Sequence, residues 1–195
     1  GLWVQRTSVP GVAQRTGATT YYLEFLPKTG PQKPVMALYL FLGALIYVGV
    51  YTIWLKPRSV LNIVIGGAAG SMAVMTGGAA VGAASDPGVI ALALLVFLWT
   101  PAHFWSLAMF YQDDYAEAGV PMLPVTHGAD ETRRQILIYS CLLVPLAMVP
   151  SIIGLGGPLY TLVAAIFGAF FLVFAYDCYR KREGEAAERA AKNLF

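Results

Sequence analysis

Long apolar segments alternate with short polar ones along the chain. Five segments contain no Lys, Arg, Asp or Glu, apart from Asp177 near the end of the last one, and they cover residues 34–55, 60–84, 89–111, 136–153 and 159–179. Each is close to the roughly 20 residues that a helix needs to cross a bilayer. Five such segments in succession are improbable in a soluble helical bundle. The pattern therefore predicts an all-α integral membrane protein with about five transmembrane helices.

The second segment differs from the others because it is rich in small residues. It contains six glycines among alanines: Gly66, Gly67, Gly70, Gly77, Gly78 and Gly82. Small residues let helix backbones approach closely inside a membrane. We therefore expect this segment to pack closely within a bundle rather than to face lipid.

Composition agrees with a membrane location. Hydrophobic residues make up 57% of the 195 residues and charged residues 12%, about half the charged share of an ordinary soluble domain. The formal net charge of +2 is spread along the chain, so no nucleic-acid partner is indicated.

Two cysteines, Cys141 and Cys178, are too far apart in sequence for a metal-binding or disulfide motif.

The basic residues fall in alternate loops and predict the orientation in the membrane. Lys56 and Arg58 follow the first segment, Arg133 and Arg134 precede the fourth, and five more follow the fifth. The other two loops, residues 85–88 and 154–158, contain neither Lys nor Arg. By the positive-inside rule, the basic loops face the cytoplasm or the mitochondrial matrix. The location expected is the bacterial plasma membrane or the mitochondrial inner membrane.

Three regions follow from this pattern. Residues 34–179 form a transmembrane helical domain, and residues 180–195 form a basic tail on the cytoplasmic or matrix side. Residues 1–33 are rich in Thr and contain a single acid, Glu24. This stretch partly resembles an organelle transit peptide, but we favour an extramembrane arm lying on the bilayer or on a partner.

Three carboxylates lie together after the third apolar segment. Asp113, Asp114 and Glu117 fall within five residues. If the helix continues for one more turn, Asp113 and Glu117 share a face at a spacing of four residues. Paired carboxylates of this kind suit Mg²⁺ bound to a diphosphate, whose oxygens complete the octahedron with water. An ordinary solvated loop fits the spacing equally well, because acids also collect at membrane boundaries.

The sequence around these acids resembles the protoheme IX farnesyltransferases, or haem O synthases. The resemblance covers about residues 36–195 and rests on Val50-Tyr51-Thr52, Leu55-Lys56, Asn62 to Gly70, Phe97 to Ala108, Asp114-Tyr115, Ala118 to Pro124 and Thr132 to Ile136. It implies an intramembrane prenyltransferase fold, in which the five segments correspond to spans four to eight of a nine-helix bundle.

The resemblance also implies a reaction and a set of site residues. The family transfers the farnesyl group of farnesyl diphosphate to a vinyl group of haem B, with Mg²⁺ neutralising the leaving group. Asp113, Asp114 and Glu117 would be the catalytic and metal-binding residues, and haem B is a substrate rather than a cofactor. The implied substrate-binding residues are Lys56, Arg133, Tyr51, Asn62 and His103. Lys56 and Arg133 would contact the diphosphate and His103 the haem, although the residues alone favour a packed histidine bonded to a backbone carbonyl at position 103.

One family feature is absent from this sequence. Haem O synthases carry an additional acidic motif, Asn-x-x-x-Asp-x-x-x-Asp, about two spans upstream, whereas Glu24 and Asp86 are the sole acids before Asp113. Three explanations remain open: a split enzyme completed by another polypeptide, an incomplete sequence of an ordinary enzyme, or an inactive homologue serving as a structural subunit of a respiratory, cytochrome oxidase-type complex. The expected partners are therefore membrane lipid, the two substrates if the protein is active, and other membrane subunits.

Overall fold

The computed structural model describes residues 32–181 and 184–194, and within them it is helical with no strand. The predicted arm, residues 1–33, lies outside the described residues apart from its last two positions, and it stays a prediction. The helices are α1 (Gln32–Ala44) with a π-helical continuation (Leu45–Leu55), α2 (Asn62–Ala80), α3 (Pro87–Phe110), α4 (Gln112–Glu117), α5 (Leu123–Ile152), α6 (Pro158–Arg180) and α7 (Gly184–Lys192).

Five of the described helices are long and apolar enough to cross a membrane. These are α1 together with its π-helical continuation, α2, α3, α5 and α6. The all-α membrane fold predicted from the sequence is confirmed, and the protein is an integral membrane protein. The predicted basic tail is more ordered than expected, because residues 184–192 form the further helix α7.

Two helices of the structure differ in extent from the apolar segments that predicted them. The second helix ends at Ala80 rather than near residue 84, because Gly82 adopts a left-handed conformation with φ of 74° and turns the chain. Helix α5 covers Leu123–Ile152 and consists of two helical pieces joined at Gly128, whose φ of 82° and ψ of 169° are not helical, so the helical structure extends well before residue 136. Arg133 and Arg134 therefore lie on this helix and not in a loop. At about 1.5 Å per residue the part after Gly128, residues 129–152, is about 36 Å long, so its charged first turn extends beyond the roughly 30 Å hydrocarbon core.

The spanning helices form a row in which each packs against its neighbours in sequence. In the described residues α2 contacts α1 and α3, α3 contacts α5, and α5 contacts α6, whereas α2 and α5 do not touch. Small residues allow the close approach of α2 and α3, since a Cβ on Gly67 would lie 3.1 Å from Thr100 Cβ. The buried Ser71 hydroxyl also donates a 2.8 Å hydrogen bond to the Ala93 carbonyl. The predicted close packing of the glycine-rich segment is confirmed on its α3 face.

The main core lies where one set of helix ends comes together, and we call this end of the helices the basic end. There the π-helix, α3 and α6 end, and α2 and α5 begin, next to the loop that carries Lys56. The cluster of buried apolar residues at this end comprises Ile63, Trp105, Ala108, Met122, Leu123, Ile136, Ala175, Cys178, Ala190, Ala191 and Leu194. Farther along the helices many large apolar side chains are exposed, for example Leu40, Leu159 and Phe167. Such surfaces suit contact with lipid tails.

Two adjacent glycines of α2 provide a test of this packing. A Cβ on Gly78 would lie 2.5 Å from Val89 Cγ1, whereas a Cβ on Gly77 would meet nothing within 4 Å. Overpacking of this kind typically costs about 1–3 kcal/mol. We expect Gly78→Ala to lower the thermal unfolding midpoint in detergent and Gly77→Ala to leave it unchanged or slightly raised. Equal midpoints for the two variants would contradict the α2–α3 contact.

Candidate functional site

The three predicted carboxylates lie on a short helix at the basic end. Tyr111 separates this helix, α4, from α3 through its non-helical φ and ψ of −102° and 32°. Asp113 and Glu117 both lie within α4, four residues apart as predicted, and all three carboxylates are exposed. Tyr115 is half-buried against the core and anchors the helix from the other side. The acids thus face water immediately beside the core.

Arg133 and Arg134 have opposite environments although they are adjacent. The Arg133 side chain is 8% exposed and its Nη1 donates to Asp130 Oδ1 at 3.1 Å. Its Nε is buried without a hydrogen-bond partner in the described residues. Arg134 is 63% exposed and pairs with Glu131 at 3.2 Å. A guanidinium has five N–H donors and no acceptor, so buried Arg133 retains capacity to bind an anion.

Asn62 is a second buried polar group at the basic end. It is the first residue of α2 and is fully buried, and neither its Oδ1 nor its Nδ2 has a partner among the described residues. A buried polar atom without a hydrogen bond costs about 1–3 kcal/mol. Side chains with such a cost are common where function requires them.

Trp105 is a third residue with a buried polar atom that has no partner in the described residues. It was not among the site residues predicted from the sequence. Its indole is buried, its ring contacts Tyr139 edge-to-face at 5.3 Å, and its Nε1 has no partner in the described residues. Within these residues the buried polar side-chain atoms lacking a hydrogen bond belong to Asn62, Arg133 and Trp105 alone. All three residues lie at the basic end. The available signal was its place in the Phe97 to Ala108 run, two residues after His103, but packing explains a tryptophan as readily.

Tyr51 and Lys56 lie on the α1 side of the basic end. The Tyr51 ring packs against Gly66, where an added Cβ would lie 2.6 Å from it, and stacks with Tyr47 at 5.8 Å between centroids. The Tyr51 carbonyl accepts a 2.8 Å hydrogen bond from the Lys56 backbone N–H, which closes the last π-helical turn. Lys56 is half-buried. The two residues therefore lie one helical turn apart at the membrane boundary.

An apolar groove lies along the membrane-spanning part of α1 and α2. Its volume is about 430 Å³, and its lining includes Tyr39, Gly43, Tyr47, Ala69 and Ala73. Tyr47 lines the groove, and its ring stacks on the ring of Tyr51 at 5.8 Å between centroids. One ring contact thus separates the groove from Tyr51 at the basic end.

His103 lies on a different side of α3 from Trp105. Its ring stacks on Trp99 at 4.4 Å and meets Phe104 edge-on at 5.4 Å. Because the two positions are about 200° apart around the helix, His103 points away from the face that packs on α5. In the part of the chain that the structure describes, the ring has aromatic neighbours and no hydrogen-bonded carbonyl. The exposed His127 contacts Thr126 Oγ1 at 2.9 Å.

The site residues are distributed over several helices at the basic end. Asn62 lies on α2 and Arg133 on α5, and in the described residues no Cα atoms of these two helices lie within 8 Å of each other. No group of three His, Cys, Asp or Glu side chains in those residues is placed to hold a metal ion. The exposed pair Asp113 and Glu117 fits the usual binding of Mg²⁺, which takes one or two carboxylates with substrate phosphates and water. Their role as metal ligands stays a prediction.

Comparison with known proteins shows which family this chain belongs to. Residues 30–195 match the UbiA prenyltransferase family, and the chain belongs to that family. It is 50% identical over 149 residues to the protoheme IX farnesyltransferase of Azorhizobium caulinodans, a match that covers 76% of this chain and 48% of the relative. The corresponding enzyme of Parvibaculum lavamentivorans is 49% identical over 149 residues, 76% of this chain and 47% of the relative. The chain therefore spans about half the length of these relatives. No solved structure matches the chain.

Asn62 allows a test of whether this group is a binding residue or a packing residue. Asn62→Leu removes two unpartnered buried polar atoms at similar volume, so we expect an unfolding midpoint equal to or above that of the parent protein. The comparison variant is Ser71→Ala, which breaks the hydrogen bond to Ala93 and should lower the midpoint by the equivalent of about 1 kcal/mol. Thermal unfolding in one detergent measures both. A loss in Asn62→Leu as large as that in Ser71→Ala would mean that Asn62 stabilises the fold.

Proposed function

We propose that this chain supplies the acidic segment and the isoprenyl groove of a membrane prenyltransferase that transfers farnesyl from farnesyl diphosphate to a vinyl group of haem B. One observation carries the proposal: exposed carboxylates and incompletely paired buried polar groups occupy the same end of the helices. An apolar groove lies along α1 and α2, one ring contact away from that end. A substrate with a diphosphate head and an isoprenyl tail matches this division into a polar end and an apolar groove. The names of the relatives agree with it.

The diphosphate is the ligand that the basic end would bind. Asp113 and Glu117 would hold Mg²⁺ against the diphosphate oxygens, and the ion would neutralise the charge that develops on the leaving group. Lys56 and Arg133 would add positive charge at the same membrane face. Arg133 is the stronger candidate of the two adjacent arginines, because its neighbour Arg134 is exposed and already paired with Glu131.

The apolar part of the substrate would lie along α1 and α2. The groove volume of about 430 Å³ is in the range of pockets that bind small molecules. The C1–O bond of farnesyl diphosphate would break with the electron pair leaving on the diphosphate, and the vinyl π electrons of haem B would form the new bond to C1. Water would quench the cation left on the haem side chain and release a proton. A cavity poor in water protects the allylic cation until that attack.

Haem B would approach from the bilayer side of α3. His103, Trp99 and Phe104 form an aromatic surface there, with the imidazole ring stacked on the indole. A planar porphyrin can stack on such rings. His103 is therefore proposed as a haem contact and not as an acid or base.

The rest of such an enzyme would come from polypeptide outside the chain's match to its relatives. In two-metal sites a second cluster of acids stabilises the same leaving group, and this chain has the acids of one cluster. Either a longer chain or a separate subunit would supply the other, in a bacterial plasma membrane or a mitochondrial inner membrane. The alternative predicted above, an inactive subunit of a respiratory complex, has no observation in its favour here.

Binding of the diphosphate can be tested without turnover. We expect a non-reactive farnesyl thiodiphosphate to bind the purified protein in Mg²⁺ and to lose affinity in EDTA. Asp113→Asn should weaken Mg²⁺-dependent binding by at least about tenfold, since even outer-shell partners of a metal typically contribute that much. Isothermal titration calorimetry measures both effects.

Asp86→Asn provides the matched control for this experiment. Asp86 lies at the opposite end of the helices, where its carboxylate caps α3 by accepting from the Gly88 N–H at 2.8 Å. Asn caps helices about as well as Asp, so this variant should bind like the parent protein. The acidic segment is not the binding site if Asp113→Asn and the parent protein bind the analogue equally.

A further inference from the structure

The last helix, α7, packs one apolar face against the basic end. Ala187, Ala190, Ala191 and Leu194 are buried, and their spacing of three and four residues places them on one side of the helix. Arg189 and Lys192 are exposed. The alanines permit close approach, and three residues of this face belong to the main core with Trp105 and Cys178. The helix is therefore an integral part of the basic end.

Helix α7 also packs against two spans whose backbones are not adjacent. In the described residues no Cα atoms of α3 and α6 lie within 8 Å of each other, and α5 packs against both. Helix α7 contacts both α3 and α6. It thus closes the group of α3, α5 and α6 at the basic end, directly where α3 leads into the acidic helix α4.

A charged side chain of α7 contacts the end of α3 that leads into the acidic helix. Lys192 Nζ lies 4.3 Å from the centre of the Phe110 ring, within the distance of a cation–π interaction. Phe110 is the last residue of α3, and its ring also meets that of Tyr111 edge-to-face at 4.9 Å. Tyr111 is the residue at which the chain turns from α3 into α4. Lys192 therefore contacts the segment that sets the direction of the acidic helix and brings a positive charge close to it.

We propose that α7 positions the acidic helix α4, with Lys192 acting on it through Phe110. The alanine face fixes α7 against the ends of α3 and α6, and the ammonium of Lys192 then holds the Phe110 ring at the start of the turn. Lys192 is a positioning residue in this account and does not touch substrate. The proposal rests on the proposed function in one respect, namely that the acidic helix is the part of the molecule whose position matters for diphosphate binding.

Hydrogen–deuterium exchange of the full chain in detergent tests this proposal without substrate. Lys192→Met removes the charge and keeps much of the apolar stem. We expect exchange over residues 111–121 to become about two- to fivefold faster, the factor that a cation–π interaction at an exposed site provides. Lys192→Arg should retain slow exchange, because a guanidinium also binds aromatic faces. Phe110→Leu should match Lys192→Met, and combining the two substitutions should add little further effect.

The pattern of exchange separates local positioning from general destabilisation. Exchange over residues 62–80 of α2, which do not contact α7 in the described chain, should be unchanged in every variant. Unchanged exchange over 111–121 in Lys192→Met would overturn the proposal, and so would faster exchange spread evenly over α2 and the acidic segment. The same variants titrated with farnesyl thiodiphosphate separate the two proposals. Faster exchange in Lys192→Met supports positioning by α7 even if the analogue fails to bind the parent protein, a result that would refute the proposed function alone.

Discussion

The exclusion of charge from the bilayer determines where this protein can do chemistry. Asp and Arg are expensive in the hydrocarbon region, so ionic side chains collect at the helix ends. Short connections make successive spans run in opposite directions, and every second connection therefore meets at the same face. Lys56, the acids of α4 and Arg133 lie far apart in sequence but share the basic end for this reason. The main core lies there too, so the best-packed part of the described chain supports its most polar part.

Helix α3 packs against α2 and against α5 in the described residues. Its small residues and Thr100 pack against the glycines of α2, and Trp105 packs on α5 through Tyr139. Its C-terminal end leads into the acidic helix and touches α7 through Phe110. The helices around α3 form an open row in the described residues. This openness agrees with a chain that spans about half the length of its relatives.

The features that could be predicted from the sequence are those that depend on the exclusion of charge from the bilayer. Apolar length identified five spans, and alternate basic loops placed the candidate residues on one face. Asp113 and Glu117 were expected to share a helical face if the third helix continued for one more turn. The structure instead ends α3 at Phe110 and contains both residues in the separate helix α4. Absence of charge was a poor guide to helix length, however, because α5 continues through Asp130 to Arg134, where ion pairs three residues apart satisfy the charges.

Features that depend on packing could not be predicted. Nothing in an Arg-Arg pair indicates that Arg133 is buried and Arg134 exposed, since the difference arises from which side of α5 meets the core. The histidine of α3 was expected to bond a carbonyl if it was merely packed, but aromatic rings surround it. The contact of Lys192 with Phe110 joins residues 82 positions apart in the printed sequence, and no local pattern encodes such a contact.

The most direct test of the account is product formation by the native assembly. The protein would be purified from its own membranes with every co-purifying chain, supplied with haem B, farnesyl diphosphate and Mg²⁺, and assayed for haem O by mass spectrometry. The account predicts haem O that depends on both substrates and on Mg²⁺. An intact assembly that binds neither substrate and forms no haem O would contradict it and would favour a purely structural role for this prenyltransferase fold.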